Sequence, residues 1–237
     1  MIKRVVGEKF VLFFILLLAA FFRFHDVNWD QGQHLHPDER FLTMVGIDMQ
    51  LPATFAEYLD PQVATSNPTN IGHKFYVYGT FPVVLNKIIT QYTSTSNYAD
   101  FTIMGRLLSG LADLFVLILI FKTVKLFEKQ YKFNSQIKYW SAFFYAIAVL
   151  PIQLSHFFAV DTFLNTFVFA SFYCALRLTF TKHLRWVLLS GIFFGLAIGS
   201  KINAVFLLPL LLFFFVSSYA KEKRIARKDI PRLAIDL

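Results

Sequence analysis

Long apolar runs recur along this 237-residue chain and limit what it can fold into. The six longest lie at residues 10–22, 107–121, 142–149, 163–175, 186–198 and 204–216. With flanking residues, most reach about 15–20 residues, which is close to the length of a helix that crosses ~30 Å of hydrocarbon. Only 16% of the residues are charged, whereas a soluble domain averages about 25%. We therefore predict an all-α polytopic membrane helix bundle rather than a soluble helical core.

The positions of the basic residues predict the topology of this bundle. Seventeen of the 23 Lys and Arg residues fall in four clusters, at residues 3–9, 122–138, 177–185 and 221–232. Cytoplasmic loops carry an excess of Lys and Arg, so we expect all four clusters and both termini in the cytoplasm. An even number of crossings between clusters then gives six transmembrane helices. Their predicted bounds are about 8–24, 103–122, 138–156, 161–180, 185–199 and 203–219, within a single membrane domain.

The first predicted helix is expected to be an uncleaved signal anchor. Its apolar run continues into Phe21-Phe22-Arg23 rather than into the small residues of a cleavage site. The net charge of +8 follows from the cytoplasmic clusters, for which phosphates of membrane lipids are sufficient partners. Nucleic-acid binding is therefore not predicted.

Residues 25–102 are predicted to form one long extracytoplasmic loop after the first helix. Its apolar segment "YGTFPVVLNKII" is too short to cross a bilayer. We expect this segment to lie in the membrane interface or to re-enter it, so that the loop carries short interfacial helices.

Ionisable side chains from several segments are predicted to meet at the outer face. The segment "HPDER" supplies four of them directly after the first helix, and the outer ends of later helices supply the others. The candidates are His36, Asp38, Glu39, Arg40, Arg106, His156, Asp161 and Lys201. Carboxylates can deprotonate an acceptor, while Lys and Arg can hold the phosphate of a lipid-linked donor.

Four motifs resemble integral-membrane glycosyltransferases of the GT-C fold. The nearest branches are the protein O-mannosyltransferases and the aminoarabinose transferases that modify lipid A. The motifs are "HPDERF" after the first helix, "SHFFAVDTFLNTF", "GLAIGSKINAVFLLP", and an arginine followed by "LLSGL". They occur in the family's order, over about residues 8–215. Family members are commonly longer, so the resemblance implies that the chain corresponds to the N-terminal part of the family pattern.

The resemblance implies sugar transfer from a polyprenyl-phosphate donor to a protein, lipid or glycan acceptor, with inversion at the anomeric carbon. Asp38 would be the general base and Glu39 would assist or position it. Asp161 would help to form the sugar or acceptor site. Lys201, with Arg40 and Arg106, would hold the polyprenyl phosphate.

Several alternatives remain open at the level of sequence. His34, His36, Asp38 and Glu39 have a spacing that would place metal ligands on one face of an extended segment, which would suit Mg²⁺, Mn²⁺ or Zn²⁺. His156 either binds the donor or satisfies a helix end. Asp113 inside the second span is either a structural contact or part of the site. The stripe Gly191, Gly195 and Gly199 predicts close helix packing.

Two other functional classes also fit the composition. A transporter or flippase would be expected to show repeated halves and helices broken in mid-membrane, and neither is evident in the sequence. A non-catalytic membrane subunit would retain its associated activity when Asp38 is replaced.

Overall fold

The structure is a computed structural model that describes residues 2–93, 97–132 and 134–218. This part of the chain is helical and contains no strand. The α-helices are α1 (Ile2–Phe24), α2 (Pro37–Asp48), α3 (Phe55–Leu59), α4 (Phe81–Tyr92), α5 (Tyr98–Tyr131), α6 (Ile137–Ala146), α7 (Val149–Ser155), α8 (Val160–Thr181), α9 (Leu184–Ser200) and α10 (residues 208–218). Two 3₁₀ helices cover Pro68–Ile71 and Ile202–Leu207.

Two of the described helices, α5 and α8, are long and apolar enough to cross a membrane. The pair α6 and α7 qualifies as one span but bends by 53°. Helix α9 and the segment Ile202–Ser218 are shorter and also apolar. The predicted class, an all-α membrane helix bundle, is confirmed, while the number of six crossings stays a prediction.

Two predicted helices differ from those observed. The second was expected at about 103–122, but α5 has 34 residues and continues through Lys122–Lys129, because Lys, Glu and Gln favour helices even where the apolar run has ended. The third was expected to be continuous from 138 to 156, but it breaks between Ala146 and Val149. One broken helix is therefore present that the sequence analysis did not predict, although Pro151 removes the hydrogen bond to the Ile147 carbonyl at the break.

Helices α8 and α9 form an antiparallel hairpin that determines which residues share an end of the bundle. Asp161 and Lys201 lie at one end of it, and Arg177 lies near the other. Residues 202–218 return along α8, since the rings of Phe172 and Phe214 lie 5.7 Å apart. The predicted reversal at residues 199–203 is therefore observed.

The glycine stripe on α9 does not pack as predicted. A Cβ added at Gly191 or Gly195 would meet no described atom within 4 Å. At Gly199 it would meet the Phe81 Cβ at 3.4 Å, which is an ordinary contact. Of the three positions, only Gly199 faces another helix of the described chain.

The predicted outer loop is an ordered helical layer over one end of the bundle. Its helices α2 and α4 pack on α5. Their shared core consists of Leu42, Val45, Met49, Val83, Phe101, Phe158, Val160 and Phe163. This core joins the 25–102 segment to the ends of α5 and α8, so side chains far apart in sequence meet there.

Candidate functional site

Glu39 is buried at the start of α2, where it pairs with Arg106 of α5. Its two carboxylate oxygens accept hydrogen bonds from Arg106 Nε at 2.8 Å and Arg106 Nη2 at 2.7 Å. The backbone amide of Phe158 donates a third bond at 2.7 Å. Glu39 therefore ties α2, α5 and the α7–α8 connection together, and its side chain has no exposed surface.

Arg106 is saturated by protein acceptors. Besides Glu39, it donates to both carboxylate oxygens of Asp30, at 2.7 and 3.1 Å, and to the backbone carbonyl of Val27 at 2.9 Å. All five N–H donors of the guanidinium are thus engaged. The hydrogen bond from Arg106 holds the pKa of Asp30 at about 2, below its ordinary 3.8. In this geometry Arg106 has no donor left for a phosphate.

Asp38, the residue before Glu39, lies in an exposed position in the first turn of the same helix. Tyr78, from the loop before α4, lies close enough to Asp38 for the two side chains to interact electrostatically. Burial, followed by the charge of Asp38, raises the pKa of Tyr78, and the charge of Asp161 adds to this effect. The phenol therefore remains a donor at neutral pH, and it lies between two carboxylates.

Asp161 and Lys201 complete this exposed cluster. Lys201 Nζ donates to Asp161 Oδ1 at 2.8 Å, and both side chains are partly exposed. A lysine ammonium has three donors, so two remain for another anion. The exposed cluster thus consists of Asp38, Tyr78, Asp161 and Lys201, drawn from α2, the 72–80 loop, α8 and the end of α9.

The 72–80 loop reaches this cluster because Gly79 lies against the end of α9. Its amide donates to the Ser200 carbonyl at 2.9 Å. A Cβ at Gly79 would lie 2.0 Å from the carbonyl oxygen of Gly199, so only glycine permits this approach. The contact places Tyr78 beside the neighbouring Lys201 and Asp161.

His36 supports the start of α2. It is extended, as expected for a residue before proline, and its Nδ1 accepts from the Glu39 amide at 3.2 Å. Its ring stacks on Phe157 with the ring centroids 4.2 Å apart. His36 is therefore an N-cap that positions the first turn of α2, where Asp38 lies.

Arg40 is not part of the exposed cluster. Successive residues of an α-helix are about 100° apart, so Arg40 projects from the far side of α2 relative to Asp38. It lies at the start of α5, where its carbonyl accepts from the Tyr98 hydroxyl at 3.0 Å. Among described residues, its exposed guanidinium has no hydrogen-bond or ion-pair partner.

His156 ends α7 and has both ring nitrogens in structural contacts. Nδ1 lies 2.8 Å from the Ile152 carbonyl and Nε2 lies 2.9 Å from the His25 carbonyl. Trp29 Nε1 donates to the backbone carbonyl of His156 at 3.1 Å. Of its two possible roles, the geometry favours the helix-end histidine over a donor ligand.

The segment 34–39 does not present its four possible metal ligands together. Residues from Pro37 onward are helical rather than extended, and Glu39 turns inward to Arg106. His34 instead contacts the ring of Tyr98, 4.5 Å between centroids. Within the described ranges, no three His, Cys, Asp or Glu side chains converge as a metal site would require.

Asp113 belongs to a second buried ion pair, deeper along α5. It pairs with Arg23 and accepts from the Tyr145 hydroxyl at 2.6 Å. Arg23 also donates to the carbonyls of Ala146 at 3.0 Å and Tyr145 at 3.3 Å, beside the break between α6 and α7. Asp113 is therefore engaged in structural contacts that join α1, α5 and α6.

Sequence reasoning missed four residues that organise this region: Asp30, Arg23, Tyr78 and Gly79. The sequence signal for Arg23 and Asp30 was weak. A charged residue near a helix end, such as Arg23, or next to a tryptophan, such as Asp30, is common in proteins without a special role. The motif "YVYGTFP" carried a stronger signal, since a glycine between a tyrosine and a helix start marks a tight backbone position. The partner of each residue could only be known from the tertiary fold.

The structure is thus an all-α membrane bundle with the carboxylates of the exposed cluster at one end. A model of the dolichyl-phosphate-mannose-protein mannosyltransferase family matches residues 86–236, and the chain belongs to this family. It is thus an integral-membrane glycosyltransferase that uses a polyprenyl-phosphate-linked sugar donor, and the resemblance to GT-C enzymes is confirmed. No curated protein and no solved structure matches the chain. Asp161 and Lys201 lie inside the matched range, whereas Asp38 and Tyr78 precede it.

Proposed function

We propose that the chain transfers a sugar from its polyprenyl-phosphate donor at the exposed cluster, with Asp38 as the general base. The observation that carries this proposal is the meeting of Asp38, Tyr78, Asp161 and Lys201, which come from four segments and remain solvent-accessible. Exposed groups that converge are available to a substrate. Glu39 and Arg106 are also charged, but they are buried and bind each other, and Arg106 also binds Asp30.

The proposed reaction is a single inverting displacement. The acceptor oxygen or nitrogen attacks the anomeric carbon as the bond from that carbon to the phosphate oxygen breaks. Asp38 takes the acceptor's proton, and polyprenyl phosphate leaves as an anion that needs little protonation. A positioned base contributes about 10²–10⁴-fold to such a rate.

Lys201 is proposed to hold the leaving phosphate. Its two unused ammonium donors can bind phosphate oxygens while the third keeps its bond to Asp161. Cations placed where negative charge develops lower the barrier, because the charge of the leaving group is offset as it forms. Asp161 would thus orient Lys201 and form one wall of the sugar or acceptor site.

Tyr78 is proposed to position the base. Its hydroxyl interacts with the Asp38 carboxylate, and we propose that this interaction holds the carboxylate in place to take the acceptor's proton. Glu39, Arg106, His36 and His156 are proposed to position α2 and the α7–α8 connection rather than to touch the substrate. Arg40 keeps free donors, but it projects away from Asp38 and the proposed site does not include it.

The exposed cluster is proposed to face the outside of the cell membrane, with both termini in the cytoplasm. The distribution of Lys and Arg supports this orientation, since the segments around Asp38 are rich in acids and the opposite ends of the helices are rich in bases. The acceptor would be a hydroxyl or amine of an extracytoplasmic protein, lipid or glycan.

The test is sugar transfer in membranes that contain the full chain, with a panel of radiolabelled polyprenyl-phosphate sugars headed by mannose. We expect Asp38→Asn to lower transfer by about 10²-fold or more. Asp26→Asn is the matched control, because Asp26 is exposed, lies in the same segment and has a positive φ of 55° that asparagine tolerates.

Transfer that is lost in Asp38→Asn and kept in Asp26→Asn supports the base and also identifies the sugar. Equal transfer by the wild type and Asp38→Asn would overturn the proposed mechanism. That result would instead favour a chain whose Asp38 has no part in catalysis.

A further inference from the structure

A cluster of unpartnered cationic donors lies at the end of the α8–α9 hairpin opposite the exposed cluster. The guanidinium of Arg177 on α8 lies 4.8 Å from the ring centroid of Trp186, and that of Arg185 lies 5.1 Å from the same ring. One indole thus gathers two positive charges from two helices. At a rise of 1.5 Å per residue, Arg177 is about 24 Å along α8 from Asp161.

These donors have no acceptor in the described structure. Arg177 Nε and Trp186 Nε1 are both buried atoms without a hydrogen-bond partner. Neither Arg177 nor Arg185 has a carboxylate within ion-pair distance among described residues. Glu128, the acid near the end of α5, is bonded to Lys138 at 3.0 Å.

The local sequence explains this shortage. Residues 162–221 contain no Asp or Glu, so neither helix of the hairpin supplies a counter-ion at this end. The side chain of His183 does not cap α9, and the first amides of that helix add positive potential at the same place. Buried N–H groups without acceptors are costly, and two guanidinium groups on one ring repel each other. One bound anion would relieve both penalties.

A groove lined by phenylalanines and by polar side chains lies at the same end of the bundle as the cluster. It has a volume of about 580 Å³ and lies between the ends of α5, α8 and α10. Leu176 and Phe180 of α8 line it and flank Arg177 in sequence, while Phe213 and Phe214 form part of another wall. A ligand with a phosphate and a hydrocarbon chain matches a cationic cluster beside such a groove.

We propose that Arg177, Arg185 and Trp186 form a binding site for the phosphate of an anionic phospholipid, with an acyl chain in this groove. This site is separate from the exposed cluster and does not depend on the proposed function. Two arginines and an indole N–H would donate to the phosphate oxygens, and the guanidinium of Arg177 would turn towards the ligand.

The experiment measures binding to the purified full chain in detergent, by native mass spectrometry and by tryptophan fluorescence. The probes are short-chain phosphatidylglycerol, short-chain phosphatidylcholine and inorganic phosphate. We expect phosphatidylglycerol to bind about tenfold or more tightly than either of the others. Arg177→Gln and Arg185→Gln should each weaken that binding about tenfold.

Two further variants separate binding from folding and from net charge. Trp186→Phe keeps the aromatic ring and removes only the N–H donor, so it should weaken phosphatidylglycerol binding several-fold in a chain that still folds. Lys122→Gln removes one exposed charge from α5 and should leave binding unchanged. Wild-type affinity in the Arg177, Arg185 and Trp186 variants would overturn the site, and phosphate binding as tight as phosphatidylglycerol would overturn the lipid assignment.

Discussion

Asp38 and Glu39 are neighbours of the same chemical type, yet they have opposite surroundings. Glu39 has no exposed surface and accepts three hydrogen bonds from protein donors. Asp38 is exposed and meets Tyr78 near Lys201 and Asp161. One helical step of about 100° separates them. The comparison teaches that two adjacent acids can differ in role, because one is engaged by protein donors in the interior while the other stays accessible at the surface.

Removal of Arg106 should give the largest effect, on stability. Arg106→Gln would leave Glu39 and Asp30 buried without their cation, and breaking such a pair typically costs about 3–5 kcal/mol. Thermal or denaturant unfolding in detergent measures this loss. Arg40→Gln, which removes an exposed cation nearby, should change the free energy of unfolding by no more than about 0.5 kcal/mol. Equal effects of the two variants would break the distinction between buried and exposed charges.

The second buried pair should behave in the same way at a distance from the exposed cluster. Asp113→Asn leaves Arg23 buried without a counter-charge, and we expect a loss of about 3 kcal/mol in unfolding free energy. Tyr145→Phe removes only one hydrogen bond to Asp113 and should cost about 1 kcal/mol. Transfer per folded molecule should survive in both variants. If Asp113→Asn lost transfer activity at unchanged stability, Asp113 would be part of the functional site and not only a structural contact.

Asp30 should make stability depend on pH. Because folding lowers its pKa from 3.8 to about 2, the ionised form is favoured in the folded state. Its contribution is complete above the ordinary value and is lost as the pH falls from 3.8 towards 2, a change of about 2 kcal/mol. Unfolding of the wild type and Asp30→Asn between pH 6 and 2 measures this. The two curves should converge at low pH, and a constant gap between them would contradict the assignment.

Loss of the Tyr78 hydroxyl should give the smallest effect, confined to activity. Tyr78→Phe keeps the ring and removes the hydroxyl that interacts with Asp38, so transfer should fall about five- to tenfold, equivalent to about 1 kcal/mol. Stability should change little. Tyr58→Phe, at an exposed tyrosine of α3, is the control and should retain full transfer. If Tyr78→Phe were less stable but kept wild-type activity per folded molecule, Tyr78 would contribute to the fold and not to catalysis.

Much of the fold was predictable because membrane helices can be recognised from their long apolar runs. The apolar runs and the even number of crossings between basic clusters predicted the helix class and the reversal at residues 199–203. The bounds of α5 were not predictable from apolarity, since its polar extension is held by helix propensity and by the bond from Lys138 to Glu128. Pro151 in α7 has no amide to donate to the carbonyl of Ile147 and its ring crowds that carbonyl, so one cause of the break between α6 and α7 is visible in the sequence. The stabilisation of the break by Arg23 was not predictable, because it depends on a contact 123 residues away.

The site was only partly predictable for the same reason. Asp38, Asp161 and Lys201 were predicted as site residues, and the structure brings them towards Tyr78. Arg106 and Glu39 were grouped with them because sequence does not reveal which charges neutralise each other in the interior. Tyr78 was missed because its place depends on the close approach of Gly79 to α9. The motif "YVYGTFP" indicates a tight backbone position but does not reveal which helix it approaches.

The most direct test of the central claim is a paired measurement on Asp38→Asn and Glu39→Gln, with unfolding and sugar transfer determined on the same preparations. We predict that Asp38→Asn keeps wild-type stability within about 0.5 kcal/mol and loses at least about 10²-fold in transfer. Glu39→Gln should lose about 3 kcal/mol or more of stability while the folded fraction still transfers sugar. The reverse pattern, an unstable Asp38→Asn and a stable but inactive Glu39→Gln, would contradict the division of roles proposed for these two acids.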